Sequence, residues 1–122
     1  MPSRLVPFVF VLVFPACQSD AERHHTETIY HLENVVGILE RATGNMDAAV
    51  NEIDRYYLDN QERIAMVRAN GMRLLDRMSP EDRTAFGKRA LERTRHLRER
   101  IETLARTFPD PPRILLKVQR FL

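Results

Sequence analysis

The chain has 122 residues, of which 43% are hydrophobic and 30% are charged, and its formal net charge is +2. That length suits one small domain, and a single cysteine excludes an intramolecular disulfide, so packing alone must hold the fold. Scarce glycine, no tryptophan and apolar residues spread along charged segments indicate an all-α protein.

The first predicted element is an apolar, uncharged run from Leu5 to Phe14, which follows Arg4 and precedes the only cysteine, Cys17. A positive residue followed by a short apolar run is typical of a secretory signal. The run is too short to span a bilayer, which needs about 20 residues. We therefore expect residues 1–16 to be a cleaved signal peptide.

The last four residues of this segment, Phe14-Pro15-Ala16-Cys17, resemble the lipobox of bacterial lipoproteins. Ala16 fits that pattern, whereas the two residues before it depart from it. The resemblance implies that Cys17 becomes the first mature residue and carries a diacylglycerol, with an N-linked palmitate or similar chain in many bacteria. Gln18 then implies sorting to the outer membrane, with the domain facing the periplasm.

On this interpretation residues 17–25 form a lipidated tether and residues 26–122 form the helical domain. Two alternatives stay open. The protein can be secreted without a lipid, its cysteine being incidental, or it can be intracellular with an apolar N-terminal strand.

The first helix is predicted from apolar residues three and four positions apart, which place Ile29, Leu32, Val36 and Leu39 on one face. It should end at Thr43-Gly44, since glycine tolerates the left-handed conformation that follows many helices. The same heptad phase continues through Gly44, so one unbroken helix is the alternative. We prefer a break there.

A second helix is predicted from Met46 to Arg77, with Asn60 and Gly71 interrupting its apolar seam and a kink expected at Asn70-Gly71. Across the break between the first two helices, residues 37–57 resemble a single tetratricopeptide-like hairpin. The matching residues are the small and turn residues Gly37, Gly44, Asn45, Asp47, Ala49 and Ile53. No second copy follows, so the resemblance implies a hairpin and nothing about function.

A third helix is predicted to begin at Ser79-Pro80, where serine caps, proline occupies the first helical position and acids follow. Its seam contains Phe86, Ala90, Leu97, Ile101, Leu104 and Phe108. The turn Met78–Arg83 resembles a variant of the LTxxQ motif of small periplasmic helical chaperones. A short terminal helix, Arg113 to Leu122, is basic and amphipathic. It can lie on a membrane, but we favour its folding back onto the bundle.

The predicted fold is therefore an all-α, antiparallel three-helix bundle with a short C-terminal amphipathic helix. Its acidic first half, residues 17–62, has ten acidic and three basic residues, whereas residues 63–122 have fifteen basic and seven acidic ones. A basic half can meet an anionic surface or an acidic partner. Alternatively the halves compensate each other across helix faces, which we favour in a compact bundle.

Two groups of side chains are candidate sites. His24, Glu27 and His31 share one helical face at a spacing that suits a metal ion. We interpret them as a solvated polar face and assign no metal, because a fourth ligand is lacking. A basic stripe on the third helix, Arg89, Arg93 and Arg100, is the candidate for binding an anion or a partner. Alternatively it faces Glu40, Glu52 or Asp54 across the bundle, which we favour.

No pattern of nucleophile and base, and no glycine-rich phosphate loop, points to catalysis. We therefore expect a non-enzymatic envelope lipoprotein, attached to a membrane by its lipid, that binds an unidentified envelope protein. No cofactor, nucleic acid or small-molecule substrate is expected. The alternative is a periplasmic chaperone or stress sensor that recognises unfolded proteins.

Overall fold

The computed structural model describes residues 19–122, and every regular element in that range is an α-helix. The helices are α1 (Asp20–Ala42), α2 (Met46–Asp59), α3 (Gln61–Asp76), α4 (Pro80–Ala105) and α5 (Pro111–Gln119). The predicted all-α class is confirmed, with five helices where four were expected. The predicted signal peptide and Cys17 lie outside the described residues. In the range described, no helix combines the length and apolar character needed to cross a membrane.

Helix α1 is the element against which the others pack. It contacts α2, α3 and α4, while α5 packs against α2 and α4. Because three helices contact α1, its buried face is broader than the predicted seam. Val35 and Ile38 are buried as well as Leu32 and Leu39.

The N-terminus of α1 is fixed by a side-chain cap. The hydroxyl oxygen of Ser19 accepts a hydrogen bond from the backbone N–H of Glu22 at 3.1 Å, and acids occupy the first turn. The helix therefore begins at Asp20, inside the range 17–25 that the sequence suggested as a tether. His25 is already buried, so the packed domain begins before residue 26.

A sharp turn separates α1 from α2, as predicted. Thr43 and Gly44 both have positive φ, 45° and 82°, and the side chain of Asn45 then accepts a hydrogen bond from the N–H of Ala48. The alternative of one unbroken helix is excluded. A Cβ at Gly44 would lie 3.2 Å from the carbonyl oxygen of Thr107, so this turn also packs against the end of α4.

The helix predicted from Met46 to Arg77 is in fact two helices that meet at Asn60. The Asn60 side chain donates to the carbonyl oxygen of Tyr56 at 2.9 Å, which competes with helix continuation. Asn70 and Gly71, where a kink or slack turn was expected, lie within α3, which runs on to Asp76. Gly71 is needed for packing, since a Cβ there would lie 2.6 Å from His24 Cε1.

Helix α4 begins at its predicted cap, whereas α5 begins earlier than predicted. The Ser79 hydroxyl accepts from the N–H of Asp82 at 3.1 Å, with Pro80 in the first turn of α4. Helix α5 begins at Pro111, two residues before the predicted start, and its apolar face is buried through Ile114 and Val118. It folds back onto α2 and α4, as favoured from the sequence.

We predict that Gly44→Ala lowers the free energy of unfolding by about 1 kcal/mol or more, because alanine is strained at positive φ. Gly87→Ala is the matched control. Gly87 lies inside α4 with nothing within 4 Å of an added Cβ, so this change should raise the free energy of unfolding by up to about 1 kcal/mol. Urea unfolding of both variants measures the two shifts. A stabilised Gly44→Ala protein would contradict the observed turn.

Candidate functional site

The three arginines predicted to bind an anion or a partner face α1. Arg89 and Arg93 both form ion pairs with Glu22, and the Arg100 guanidinium lies 3.6 Å from the Glu40 carboxylate. Glu40 is one of the acids that the stripe was expected to face, whereas Glu22 is not.

The acidic and basic halves of the chain meet across these helix faces. Six ion pairs join a basic residue after residue 62 to an acid before it, including the pairs of Lys117 and Arg120 with Asp54. Hydrogen bonds from Lys117 and Arg120 lower the pKa of the Asp54 carboxyl. Part of the charge asymmetry is thus matched inside the domain. A basic binding surface must therefore be formed by basic residues outside these pairs.

Three of the four histidines lie in the first half of α1, where α3 and α4 cover them. His25 and His31 are each 2% exposed, and the His25 ring lies 4.6 Å from the Phe86 ring, centroid to centroid. The interpretation of His24, Glu27 and His31 as a solvated polar face was therefore wrong. The prediction made the buried face of α1 too narrow, and that face extends as far as His31.

Two of these polar groups, His31 and Glu27, have protein partners that the spacing did not reveal. His31 Nδ1 lies 2.7 Å from the Tyr56 hydroxyl. Arg63 donates two hydrogen bonds to Glu27, at 2.7 and 2.9 Å, and these lower the pKa of the Glu27 carboxyl. Burial raises the pKa of Tyr56 to about 12, so the hydroxyl keeps its proton at neutral pH. Within residues 19–122, no group of three or more His, Cys, Asp or Glu could hold a metal ion.

An apolar cleft of about 170 Å³ opens beside these histidines. Two of them, His24 and His31, line it, and each keeps a buried ring nitrogen that has no hydrogen-bond partner within the described range. The rest of the lining is mostly apolar and comes from α3, α4 and the chain after α5, chiefly Val67, Met72, Leu75, Phe86, Phe121 and Leu122. We call it the apolar cleft.

A second, larger cleft of about 320 Å³ lies on the other side of His24, between the first turn of α1 and α3. Its charged lining consists of Arg23, Arg73 and Arg77 with one acid, Asp20. We call it the arginine cleft. The sequence did not reveal this cleft, because its residues on α1 and α3 are about 50 positions apart. The only local signal was the four-residue spacing of Arg73 and Arg77, which places both on one face of α3.

Comparisons with family models, curated proteins and solved structures found no match to this chain.

The buried histidines make the stability of the domain depend on pH. Burial is the main cause that lowers the pKa of both His25 and His31, and for His31 the nearby Glu27 carboxylate opposes it. The unfolded chain, whose histidines have an ordinary pKa of about 6.5, therefore binds more protons than the folded chain. The stability gained by keeping these rings neutral is present above that pH and is lost as the pH falls.

We predict that the free energy of unfolding decreases between pH 7.5 and pH 5.5, by at most about 1.4 kcal/mol per pH unit for each histidine. His25→Leu should reduce this slope, since it removes one of the two rings. His96→Gln is the control, because the His96 side chain is exposed on α4. Urea unfolding at the two pH values gives the slopes. Equal slopes for His25→Leu and the unchanged protein would show that His25 does not contribute.

Proposed function

We propose that this chain is a lipid-anchored envelope protein that acts without catalysis, by binding another envelope protein at the apolar cleft. The observation that carries the proposal is the position of the only cysteine. Cys17 follows an apolar run, and only Gln18 and Ser19 separate it from the first residue of α1. In this proposal residues 1–16 are removed, Cys17 carries the lipid, and the domain faces the periplasm from the outer membrane.

We also propose that α2 and α3 together form the second arm of an antiparallel three-helix bundle. Contacts with α1 support this topology. Glu27 pairs with Arg63 and Arg41 pairs with Glu52, so the partner's number falls as the number in α1 rises, as between antiparallel arms. Glu22 and Glu40 pair with residues of α4 whose numbers rise in the same order, as expected for the first and third arms.

The exposed residues around the apolar cleft support protein binding. Met72 and Leu122 line the cleft and are 63% and 59% exposed, so an apolar partner could cover surface that now faces water. Methionine is unbranched and polarizable, and it adapts to different partner shapes. A groove of this composition suits the apolar face of a partner helix.

The second candidate function is a chaperone or stress sensor for unfolded proteins. Its support is the second exposed methionine on the same helix, Met66, which is also 63% exposed. A methionine-rich helix can accept many apolar segments.

We predict that Cys17→Ala abolishes incorporation of a fatty-acid analogue in cells and releases the protein from membranes, because the thiol is the only one available for a thioether. Gln18→Ala is the matched control and should keep the label. Metabolic labelling followed by membrane fractionation measures both effects. Labelling of Cys17→Ala equal to that of the unchanged protein would exclude the lipid anchor.

We predict that Met72→Glu weakens partner binding, because a charge at the mouth of the apolar cleft must lose hydration when a partner covers it. Met66→Glu is the matched control: it is on the same helix, equally exposed, and does not line the apolar cleft. A photoreactive residue at Leu122 reports binding in intact cells as the yield of crosslinked adducts. Both variants should remain folded, since both positions are exposed.

The same experiment separates the two candidate functions. One discrete adduct that is lost in Met72→Glu and kept in Met66→Glu supports a dedicated envelope partner. A broad range of adducts, reduced by either substitution, supports the chaperone, and purified protein should then suppress aggregation of an unfolded reporter. Adducts unaffected by Met72→Glu would exclude the apolar cleft as the binding site.

A further inference from the structure

The arginine cleft carries charge that the rest of the domain does not match. Arg73 and Arg77 form no ion pair with any residue in the range 19–122, and Arg73 donates instead to the neutral side chain of Asn70. Arg23 is 3.9 Å from Asp20, and both side chains are well exposed, so water screens that pair. The three arginines of α4 that the sequence suggested as an anion site, by contrast, are paired with acids of α1.

The chemistry of the lining selects an anion with several oxygens. A guanidinium group presents a planar set of N–H donors that matches the spacing of phosphate oxygens. Three such groups approach the cleft from two helices, with one carboxylate among them. The other lining residues include Val67 and Leu74, which offer apolar contact to the part of a ligand next to its phosphate.

The position of the cleft identifies the source of that phosphate. A chain spans at most about 3.6 Å per residue, so Cys17 and Asp20 can be no more than about 11 Å apart along their three intervening steps. A lipid on Cys17 would therefore hold the first turn of α1, and the cleft beside it, next to the headgroup layer. That distance is close to the Debye length of about 10 Å at 0.1 M salt.

We propose that the arginine cleft binds the phosphate of an anionic phospholipid headgroup in the membrane that carries the anchor. The inference rests on the proposed lipidation of Cys17. Binding there would fix the orientation of the domain, because a lipid on a two-residue tether defines only one point of attachment. The α1–α3 side would face the headgroups.

The test uses the mature lipidated chain, purified from membranes and placed in nanodiscs of phosphatidylcholine alone or of phosphatidylcholine mixed with phosphatidylglycerol. Hydrogen exchange of residues 70–78, followed by mass spectrometry, reports contact at the cleft. We expect exchange there to slow severalfold in the anionic nanodiscs. The effect should disappear in salt concentrated enough to shorten the Debye length to about 3 Å.

Arg73→Glu/Arg77→Glu should remove this protection and leave helicity unchanged, because both side chains are exposed. The matched control is Arg106→Glu/Arg113→Glu. It makes the same change in net charge at two exposed arginines that follow the opposite end of α4 and form no ion pair among the described residues. The control should keep the protection that anionic lipid gives to residues 70–78.

Failure of the headgroup site and failure of the anchor give different results. If the chain carries no fatty-acid label and does not stay in nanodiscs, the proposed anchor is wrong. If the labelled chain stays in both nanodiscs and residues 70–78 exchange equally, the headgroup site is wrong and the anchor stands. Equal loss of protection in the control also overturns the site, since net charge alone would explain it. Slowing by inorganic phosphate in neutral nanodiscs, to the same extent, would assign the cleft to a soluble anion instead.

Discussion

The burial of a broad face of α1 is the constraint on which the rest of this domain depends. That face includes Leu32 and Val35, which are fully buried, and α2, α3 and α4 all contact this helix. Polar side chains at the edge of the buried face need partners within the protein, because water reaches them poorly. The pairs of Glu27 with Arg63 and of His31 with Tyr56 follow from this requirement.

The two halves of α1 are buried in different ways, and this difference positions the clefts. Beyond His31 the helix contributes aliphatic residues to a continuous core shared with α2, α4 and α5. Before it, the contacts are between rings and backbone, as where the His24 ring lies against Gly71. A cleft opens on each side of His24.

Paired and unpaired basic residues have different roles in this domain. Arg100 of α4 and Lys117 of α5 are paired with acids of α1 and α2, which links helices distant in sequence. Arg73 and Arg77 keep their charge available at the end of the domain where α1 begins. In the functions proposed here, that end meets the membrane surface and the apolar cleft meets a protein, with His24 contributing to the wall of both.

Local patterns in the sequence determined the helical class, the caps at Ser79 and Asn45, and the turn at Gly44, because each depends on residues only a few positions apart. They also suggested that the two oppositely charged halves would meet.

The tertiary structure alone decided which residues pair. It moved the helix break to Asn60, whose side chain hydrogen-bonds to Tyr56, and it required Gly71 for contact with His24. It also buried a histidine face that periodicity assigned to solvent, and it assembled the arginine cleft from α1 and α3. The physical reason is that burial and pairing depend on how many neighbours a helix has, and the spacing of residues along one helix carries no such information.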